Sequence, residues 1–293
     1  MARADLNRRR TGSNGLCEST YIGTMLSALK KYLMVPKLVR LSAGAPRDPH
    51  VAWDVFWSNV KSTGTAGDVL WDAGTEDEML GYVDVLRRHL DTRLPVVDIG
   101  CGNGSFTRRL AGHFPHAVGV DVSANAVRRA RAESAGLPNV SYDVRDMTAP
   151  GSGSGLGREL PFLGAEGGAN VFVRGVLHVL RERERYALAE SIRAITGASG
   201  RVFLAETDFR GNAVDYVSHL GATLRSIPAP LEGAIRGLPM PGRFGAKERS
   251  LAFPADRWEL IEDGPTTIET VPLSSPTRAD LIPGYFAVLK ARG

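Results

Sequence analysis

Residues 96–104, which read Val-Val-Asp-Ile-Gly-Cys-Gly-Asn-Gly, constrain the fold of this chain more than any other segment. Two β-branched residues lead into Asp98, and glycines then follow at Gly100, Gly102 and Gly104. Glycine tolerates positive φ angles and lets the backbone approach a ligand closely. A helix that begins after such a turn directs its free N–H groups at whatever binds there. We therefore predict a buried strand, a glycine turn and a helix that together form one wall of a ligand site.

Two further carboxylates fall at the ends of the next two predicted strands. The stretch 116–121 ends in Asp121, 21 residues after Gly100, and the stretch 139–144 leads into Asp146. An acidic residue about twenty positions beyond the first glycine suits a bidentate contact to ribose hydroxyls. Ligands of open parallel sheets bind outside the carboxyl ends of the strands. The three strand ends therefore predict one nucleoside-binding site.

The glycine spacing distinguishes two kinds of nucleoside site. A dinucleotide fold requires G-x-G-x-x-G, with the pyrophosphate on the helix N-terminus. Here the third glycine comes one position too early, and Asp98 precedes the turn, where a carboxylate would repel a pyrophosphate. A carboxylate there accepts hydrogen bonds from an ammonium group or orients the turn. The residues from Asp98 to Gly104, with Asp121 and Asp146, resemble the motifs of class I S-adenosylmethionine-dependent methyltransferases.

This resemblance covers roughly residues 76–293 and implies a fold and a cofactor. The implied fold is α/β, a Rossmann-like seven-stranded, mostly parallel sheet with an antiparallel last strand, flanked by helices. It carries an N-terminal helical extension and a cap insertion after strand 5. The implied cofactor is S-adenosyl-L-methionine, with S-adenosyl-L-homocysteine as its product. The expected cofactor-binding residues are Asp98, Gly100, Gly102, Asn103, Gly104, Asp121, Val122, Asp146, Met147 and Arg174.

The chain is expected to divide into residues 1–75, a tail and helical lid, and residues 76–293, the cofactor-binding domain. The cap insertion spans about 207–251 and would wall the substrate pocket. The glycine-rich stretch 151–157 is expected to be a flexible loop. The stretch 254–263 is expected to be helical, ahead of a closing antiparallel pair of strands.

An amphipathic stretch at 20–41 is expected to be a helix that Pro36 breaks or kinks. It is basic on one side. We expect residues 18–41 to pack on the domain or on a second subunit, with contact to a membrane surface as the alternative.

His178, which follows the fourth predicted strand, is the candidate general base, because imidazole exchanges protons near neutral pH. Arg174 would bind a substrate carboxylate or phosphate, or the methionine carboxylate of the cofactor; a local salt bridge is the alternative. The candidate substrate residues are Trp57, Trp71, Glu206 and His219. No Cys/His spacing suggests a zinc site.

Charge and cysteine content narrow the function classes. Residues 1–50 carry a net charge of +6 and the remaining 243 residues a net charge of −2. A nucleic-acid enzyme is expected to concentrate positive charge near its active site, so a nucleic-acid partner is disfavoured. Two cysteines far apart in sequence argue against a disulfide framework and favour a reducing, cytoplasmic compartment.

The sequence thus predicts a metal-independent methyltransferase that acts on a small or lipophilic metabolite, at oxygen by preference, with nitrogen or carbon open. Methyl transfer requires mainly alignment of the nucleophile with the methyl group, and a general base is optional. The alternatives are another S-adenosylmethionine-using enzyme of the same fold, or a cofactor-binding regulatory protein that uses the basic N-terminal helix as its contact.

Overall fold

The computed structural model describes residues 33–159, 168–275 and 278–293, and its centre is a seven-stranded sheet. The strands are β1 (Val96–Ile99), β2 (Ala117–Asp121), β3 (Val140–Val144), β4 (Asn170–Arg174), β5 (Val202–Thr207), β6 (Trp258–Ser275) and β7 (Arg278–Ala291). Their order across the sheet is β3-β2-β1-β4-β5-β7-β6. The first five are parallel, and β7 runs antiparallel to both β5 and β6. The predicted fold class is confirmed.

Helices cover both faces of this sheet. They are α1 (Pro49–Asn59), α2 (Asp77–His89), α3 (Ser105–Leu110), α4 (Ala124–Glu133), α5 (Ser152–Glu159), α6 (Glu182–Thr196), α7 (Ala213–His219), α8 (Ala229–Gly237) and α9 (Ala246–Ala252). Successive strand residues point to opposite faces. Phe172 and Phe203 therefore pack in one core with residues of α2 and α7, whereas Val171 and Leu204 pack in a second core with residues of α6.

The strand order reverses between β1 and β4, which are neighbours in the sheet. Beside this point the connections leave in opposite directions, so a crevice opens at the carboxyl ends of the strands. Asp98 pairs with Phe172 in register, and the glycine turn after β1 therefore lies beside the segment that follows Arg174. The fold itself positions the two most informative sequence segments next to each other.

The stretch 254–263 does not form the predicted helix. β6 begins at Trp258, which pairs with Ala291 of β7, and the pairing continues along the hairpin. A register shift between Leu260 and Glu262 interrupts the alternation of side chains, as a β-bulge does. This irregularity removes the period-2 signal by which a strand is recognised in sequence.

The glycine-rich stretch 151–157 is not the predicted loop, because most of it belongs to α5. A Cβ atom at Gly153 would lie 2.1 Å from the backbone oxygen of Ser191 in α6. Glycine therefore allows the two helices to approach closely. This packing stabilises a helix whose intrinsic propensity is low.

The N-terminal region packs on the domain where it is described. Residues 33–42 are helical, so Pro36 does not break the helix as expected. Met34 and Leu38 are buried in the same core as α7, while Leu33 and Val39 are exposed. The earlier part of the 18–41 contact segment lies outside the described residues. Within the described ranges, no helix is long and apolar enough to cross a membrane.

Between β5 and β6 the chain forms the expected cap. The cap contains the three short helices α7, α8 and α9. Asn212 caps α7 by accepting a hydrogen bond from Val214 N at 2.9 Å.

Close helix packing at Gly153 gives a first test. We expect Gly153→Ala to lower the free energy of unfolding by about 1–3 kcal/mol, because the new methyl group collides with backbone. Gly157→Ala in the same helix is the matched control, since nothing lies within 4 Å of its Cβ position. It should raise stability by roughly 0.5 kcal/mol. Urea unfolding of both variants measures the difference, and equal effects would contradict the packing role.

Candidate active site

A cavity of about 230 Å³ lies at the carboxyl ends of β1 to β4. Most of the predicted site residues meet there. Its lining includes Asp98, Gly100, Gly102, Asn103, Asp121, Val122, Asp146, Met147, Arg174, His178, Trp57 and Trp71. Gly104, Glu206 and His219 are not part of the lining and are treated separately below.

The glycine turn forms one wall because a side chain would not fit there. Gly100 has a φ of 74°, and a Cβ atom on it would lie 2.3 Å from Cγ2 of Val176. A Cβ atom on Gly102 would lie 2.8 Å from the ring of Trp57. The turn thus packs between the segment after β4 and helix α1.

Gly104 must be glycine for a different reason, and its expected contact with the cofactor stays a prediction. Its φ is 73°, and a Cβ atom there would lie 2.2 Å from the hydroxyl oxygen of Tyr142. Tyr142 is a β3 residue in a small buried cluster with Cys101. Gly104 therefore accommodates packing behind the turn.

Asp121 is the last residue of β2, and each of its carboxylate oxygens accepts one hydrogen bond from a backbone N–H group. Oδ2 accepts a hydrogen bond from Gly102 N at 2.9 Å, and Oδ1 accepts one from Ser123 N at 2.9 Å. Burial raises the pKa of Asp121, while these N–H groups lower it. Each oxygen retains a lone pair toward the cavity, which suits two adjacent hydroxyl groups.

Asp146 presents its carboxylate at the far end of the cavity. Oδ1 accepts hydrogen bonds from Thr148 N at 2.8 Å and Thr148 Oγ1 at 2.6 Å. Oδ2 lies 3.7 Å from Nε2 of His50. His50 also lines the cavity, although nothing in the sequence singled it out.

Helix α1 brings His50 there because its Asp54 binds the start of α4. Asp54 Oδ1 accepts hydrogen bonds from Ser123 Oγ at 2.8 Å and Asn125 N at 3.0 Å. The Asn125 N–H is the main cause of a lowered Asp54 pKa. No local pattern in the sequence reports a contact between residues about seventy positions apart.

Asp98 is buried beneath the turn. Its Oδ2 accepts a hydrogen bond from Thr107 Oγ1 at 2.5 Å. Burial raises the pKa of Asp98 to about 7, against the opposing effect of that hydrogen bond. A nearby cation would shift this carboxyl toward its ionised form.

Asn103 connects the glycine turn by hydrogen bonds to Asp72 and Glu133. Its amide nitrogen donates to Asp72 Oδ2 at 2.8 Å and to Glu133 Oε2 at 3.2 Å. Asp72 also accepts from Gly64 N at 3.0 Å. The amide donors of Asn103 are therefore engaged within the protein.

Arg174 forms the local salt bridge that was the alternative to ligand binding. Its Nε and Nη2 donate to the two oxygens of Glu78 at 2.8 and 2.6 Å. Nη1 donates to Trp71 O at 2.8 Å, and Nη2 also donates to Glu269 O at 3.0 Å. Both charged side chains are about 95% buried, with 6% and 5% of their surface exposed. Arg174 thus ties β4 to α2 and β6, and one hydrogen of Nη1 is left over.

Glu206 was expected to contact the substrate, but it lies fully buried behind the cavity wall. Oε1 accepts hydrogen bonds from Val176 N at 2.9 Å and Leu177 N at 2.8 Å. Oε2 accepts from His178 N at 3.1 Å and pairs with His178 Nδ1 at 2.8 Å. All four lone pairs of the carboxylate are used. The expectation is corrected: Glu206 orients His178.

This contact sets which ring nitrogen of His178 carries the proton. A carboxylate only accepts, so Nδ1 is the protonated nitrogen. Nε2 then keeps its lone pair, and it has no hydrogen-bond partner among the described residues. His178 therefore has the geometry of a proton acceptor.

The aromatic residues close one side of the cavity. Trp57 is buried against the glycine turn, and Trp71 lies 5.3 Å from Phe56 and 5.5 Å from Trp53 between ring centroids. His219 does not join them. It is exposed, and its Nε2 binds the backbone oxygen of Leu281 at 2.8 Å, which corrects its expected role at the substrate.

Comparison with known proteins agrees with this geometry. A methyltransferase-domain family model matches residues 96–200. A crystal structure of an S-adenosylmethionine-dependent methyltransferase from Anabaena variabilis is 26% identical, with a TM-score of 0.71 over 85% of this chain and 97% of that one. Residues 96–200 are a methyltransferase domain, and the chain has the fold of the class I S-adenosylmethionine-dependent methyltransferases. Its cofactor is S-adenosylmethionine.

More distant matches add less. A crystal structure of the PH0226 protein from Pyrococcus horikoshii OT3 is 17% identical, with a TM-score of 0.51 over 75% of this chain and 92% of that one, and shares the fold. The 23S rRNA (uracil(1939)-C(5))-methyltransferase RlmD of Methylococcus capsulatus is 45% identical over 67 residues. That match covers 22% of this chain and 15% of the curated relative's length.

The ribose-type carboxylate gives a test of cofactor binding in this methyltransferase. We expect Asp121→Asn to weaken S-adenosylmethionine binding by about 1–3 kcal/mol, because an amide replaces one acceptor oxygen. Asp91→Asn, which removes an acidic side chain outside the cavity, is the control. Isothermal titration calorimetry measures both, and an unchanged affinity of Asp121→Asn would contradict the ribose role.

Asp98 gives a test by pH. Its pKa in the folded protein, about 7, lies above the usual aspartate value of 3.8, so the folded state holds the extra proton between these values. Stability should therefore fall as pH rises through this range, by about 1 kcal/mol per pH unit relative to Asp98→Asn. Urea unfolding of both proteins from pH 5 to 8 measures the difference in free energy. A difference that stays constant would mean that Asp98 is already ionised.

Proposed function

We propose that this methyltransferase transfers the methyl group of S-adenosylmethionine to a small, lipophilic acceptor, at oxygen. The observation that carries the proposal is the His178–Glu206 contact of 2.8 Å, which prepares a proton acceptor in the wall of the cofactor cavity. A regulatory protein that only binds the cofactor has no need of an oriented base.

Each carboxylate is assigned to one part of the cofactor according to which of its oxygen lone pairs are not used within the protein. Asp121 would bind the two ribose hydroxyls, because each of its oxygens has one lone pair to spare. Asp146 would accept from the adenine amine through Oδ2. Asp98 and the backbone of the turn would hold the ammonium group. Val122 and Met147 line the cavity between these carboxylates and would contact the adenine faces.

The acceptor side is assigned to His178. S-adenosylmethionine supplies a methyl group already activated on a sulfonium sulfur, so the protein mainly aligns the reactants. His178 would take the hydroxyl proton on Nε2 as the oxygen attacks, and Glu206 would stabilise the resulting imidazolium through Nδ1. Glu206 touches no reactant and acts only through His178, as a positioning residue.

The extension before β1 would serve as a lid. Trp57 and Trp71, with Trp53 beside them, present aromatic surface to the cavity. Excluding water there protects the methyl group from side reactions and strengthens the electrostatic interactions inside.

RNA methylation is the alternative suggested by the short match to the rRNA enzyme. The charges of the cavity argue against it, because RNA binding requires unpaired cations near the site. Arg145 is paired with Asp143 and Glu159, and Arg174 with Glu78. A cysteine nucleophile is also disfavoured, since burial raises the pKa of Cys101 well above its usual value.

Label transfer decides between these functions. The protein is incubated with methyl-labelled S-adenosylmethionine and, separately, with a panel of hydroxylated lipophilic compounds, amines, and total RNA. Label in an ether product supports the proposal, label in RNA overturns it in favour of the alternative, and bound cofactor without any transfer favours a regulatory protein.

Metal independence is tested in the same assay. Among the described residues no group of three or more His, Cys, Asp or Glu side chains is arranged to hold a metal ion. We propose that His178 supplies the proton acceptor without one, and we expect EDTA to leave the rate unchanged.

His178 gives the sharpest prediction for catalysis. We expect His178→Ala to lower kcat on an oxygen acceptor by about 10²–10⁴-fold, the usual contribution of a general base. Cofactor affinity should stay within twofold of wild type, or about 0.4 kcal/mol. His219→Ala, an exposed histidine outside the cavity, is the matched control and should keep full activity. Full activity of His178→Ala would remove it from the mechanism.

A further inference from the structure

The wall of the cavity also includes an apolar group of residues from the cap and the β6–β7 hairpin, which we call the acceptor arm. Its residues are Tyr216, Val217, Leu231, Ile235, Ile268 and Ile282. The first four belong to the cap helices α7 and α8, and the last two face each other across β6 and β7.

The arm exists because the β6–β7 hairpin is longer than the sheet beside it. β5 ends at Thr207, which pairs with Gly284, whereas the hairpin continues past this point through the Ile268–Ile282 pair. The hairpin therefore overhangs the carboxyl edge of the sheet and forms one wall of the arm. The cap forms the other.

One polar group in this wall has no partner. The Tyr216 hydroxyl makes no hydrogen bond within the described part of the chain, although the ring is mostly buried and packs edge-on against Phe209 at 5.4 Å. A tyrosine hydroxyl that lines a cavity and has no partner in the protein is free to hydrogen-bond a ligand. Burial raises the pKa of Tyr216 to about 12, so the hydroxyl stays neutral and can donate.

The arm offers no free ionic charge. None of its six residues is charged, and Arg174, whose charge acts on Tyr216, is already paired with Glu78. A charged acceptor would therefore lose its hydration without gaining an opposite charge, which is costly. An apolar acceptor with one hydroxyl or carbonyl oxygen meets no such cost.

We propose that the acceptor arm takes an uncharged, largely apolar acceptor, and that the Tyr216 hydroxyl is the polar anchor that hydrogen-bonds an oxygen of that molecule. This inference rests on the proposed function and makes Tyr216 a specificity-determining residue. A hydrogen bond left unpaired in a closed site discriminates strongly against analogues that lack the matching group.

The test compares three probes of one shape: naphthalene, 2-naphthol and 2-naphthyl phosphate. Binding of each is measured by calorimetry in the presence of saturating S-adenosylhomocysteine. We expect wild type to bind 2-naphthol about tenfold more tightly than naphthalene and to bind 2-naphthyl phosphate least. Tyr216→Phe should lose the preference for 2-naphthol while keeping its affinity for naphthalene.

Tyr186→Phe is the matched control, because its hydroxyl binds Arg257 outside this cavity. It should behave as wild type, and S-adenosylhomocysteine affinity should be equal in all three proteins. Three outcomes would overturn the inference: no binding of naphthalene or 2-naphthol, an unchanged preference in Tyr216→Phe, or tightest binding of the phosphate. The readout needs no methyl transfer, so it separates this inference from the proposed function. Correct probe binding without catalysis would contradict the function alone.

Discussion

The geometry of the site depends on the hydrogen bonds that the Glu206 carboxylate accepts. This carboxylate is fully buried at the end of β5 and accepts four hydrogen bonds from the segment after β4. An unpaired charge at that depth would cost several kcal/mol, so the segment is held in one conformation. That conformation places Val176 against Gly100 and His178 in the cavity wall. The shape of the glycine turn and the position of His178 thus follow from one side chain.

A second buried charge pair, Arg174 with Glu78, fixes the opposite boundary of the cavity. It joins the end of β4 to α2 and, through the backbone oxygens of Trp71 and Glu269, to the segment before α2 and to β6. Buried ion pairs contribute little net stability but are costly to break. The pair therefore acts on the arrangement of the chain: it holds the end of β4, the Trp71 segment and the β6–β7 hairpin together, and it neutralises the charge of Arg174 within the cavity wall.

The sequence predicted those parts of the molecule whose signals are local. The glycine turn, Asp121 and Asp146 each lie at the carboxyl end of a strand that the sequence itself indicates. The structure brings all three to one cavity. Features that depend on distant packing could not be predicted. The helix α5 depends on Gly153 meeting α6, the start of β6 is concealed by a bulge, and His50 reaches the cavity only because Asp54 binds α4. Glu206 was found as a strand-end carboxylate, but its direction, toward backbone N–H groups, is set by the tertiary fold.

The distribution of charge along the cavity explains how one pocket serves two unlike ligands. Carboxylates stand at the cofactor half, where the ligand carries an ammonium and a sulfonium group, and the pKa of Asp98 near 7 lets it ionise when such a cation binds. The proposed acceptor arm is apolar, and the nearby Arg174 is paired with Glu78. A polar half attracts the cofactor from water, while an apolar half excludes the water that would compete as nucleophile. His178 lies in the wall of this cavity, so under the proposed function its free ring nitrogen would accept the proton of an acceptor hydroxyl within the cavity.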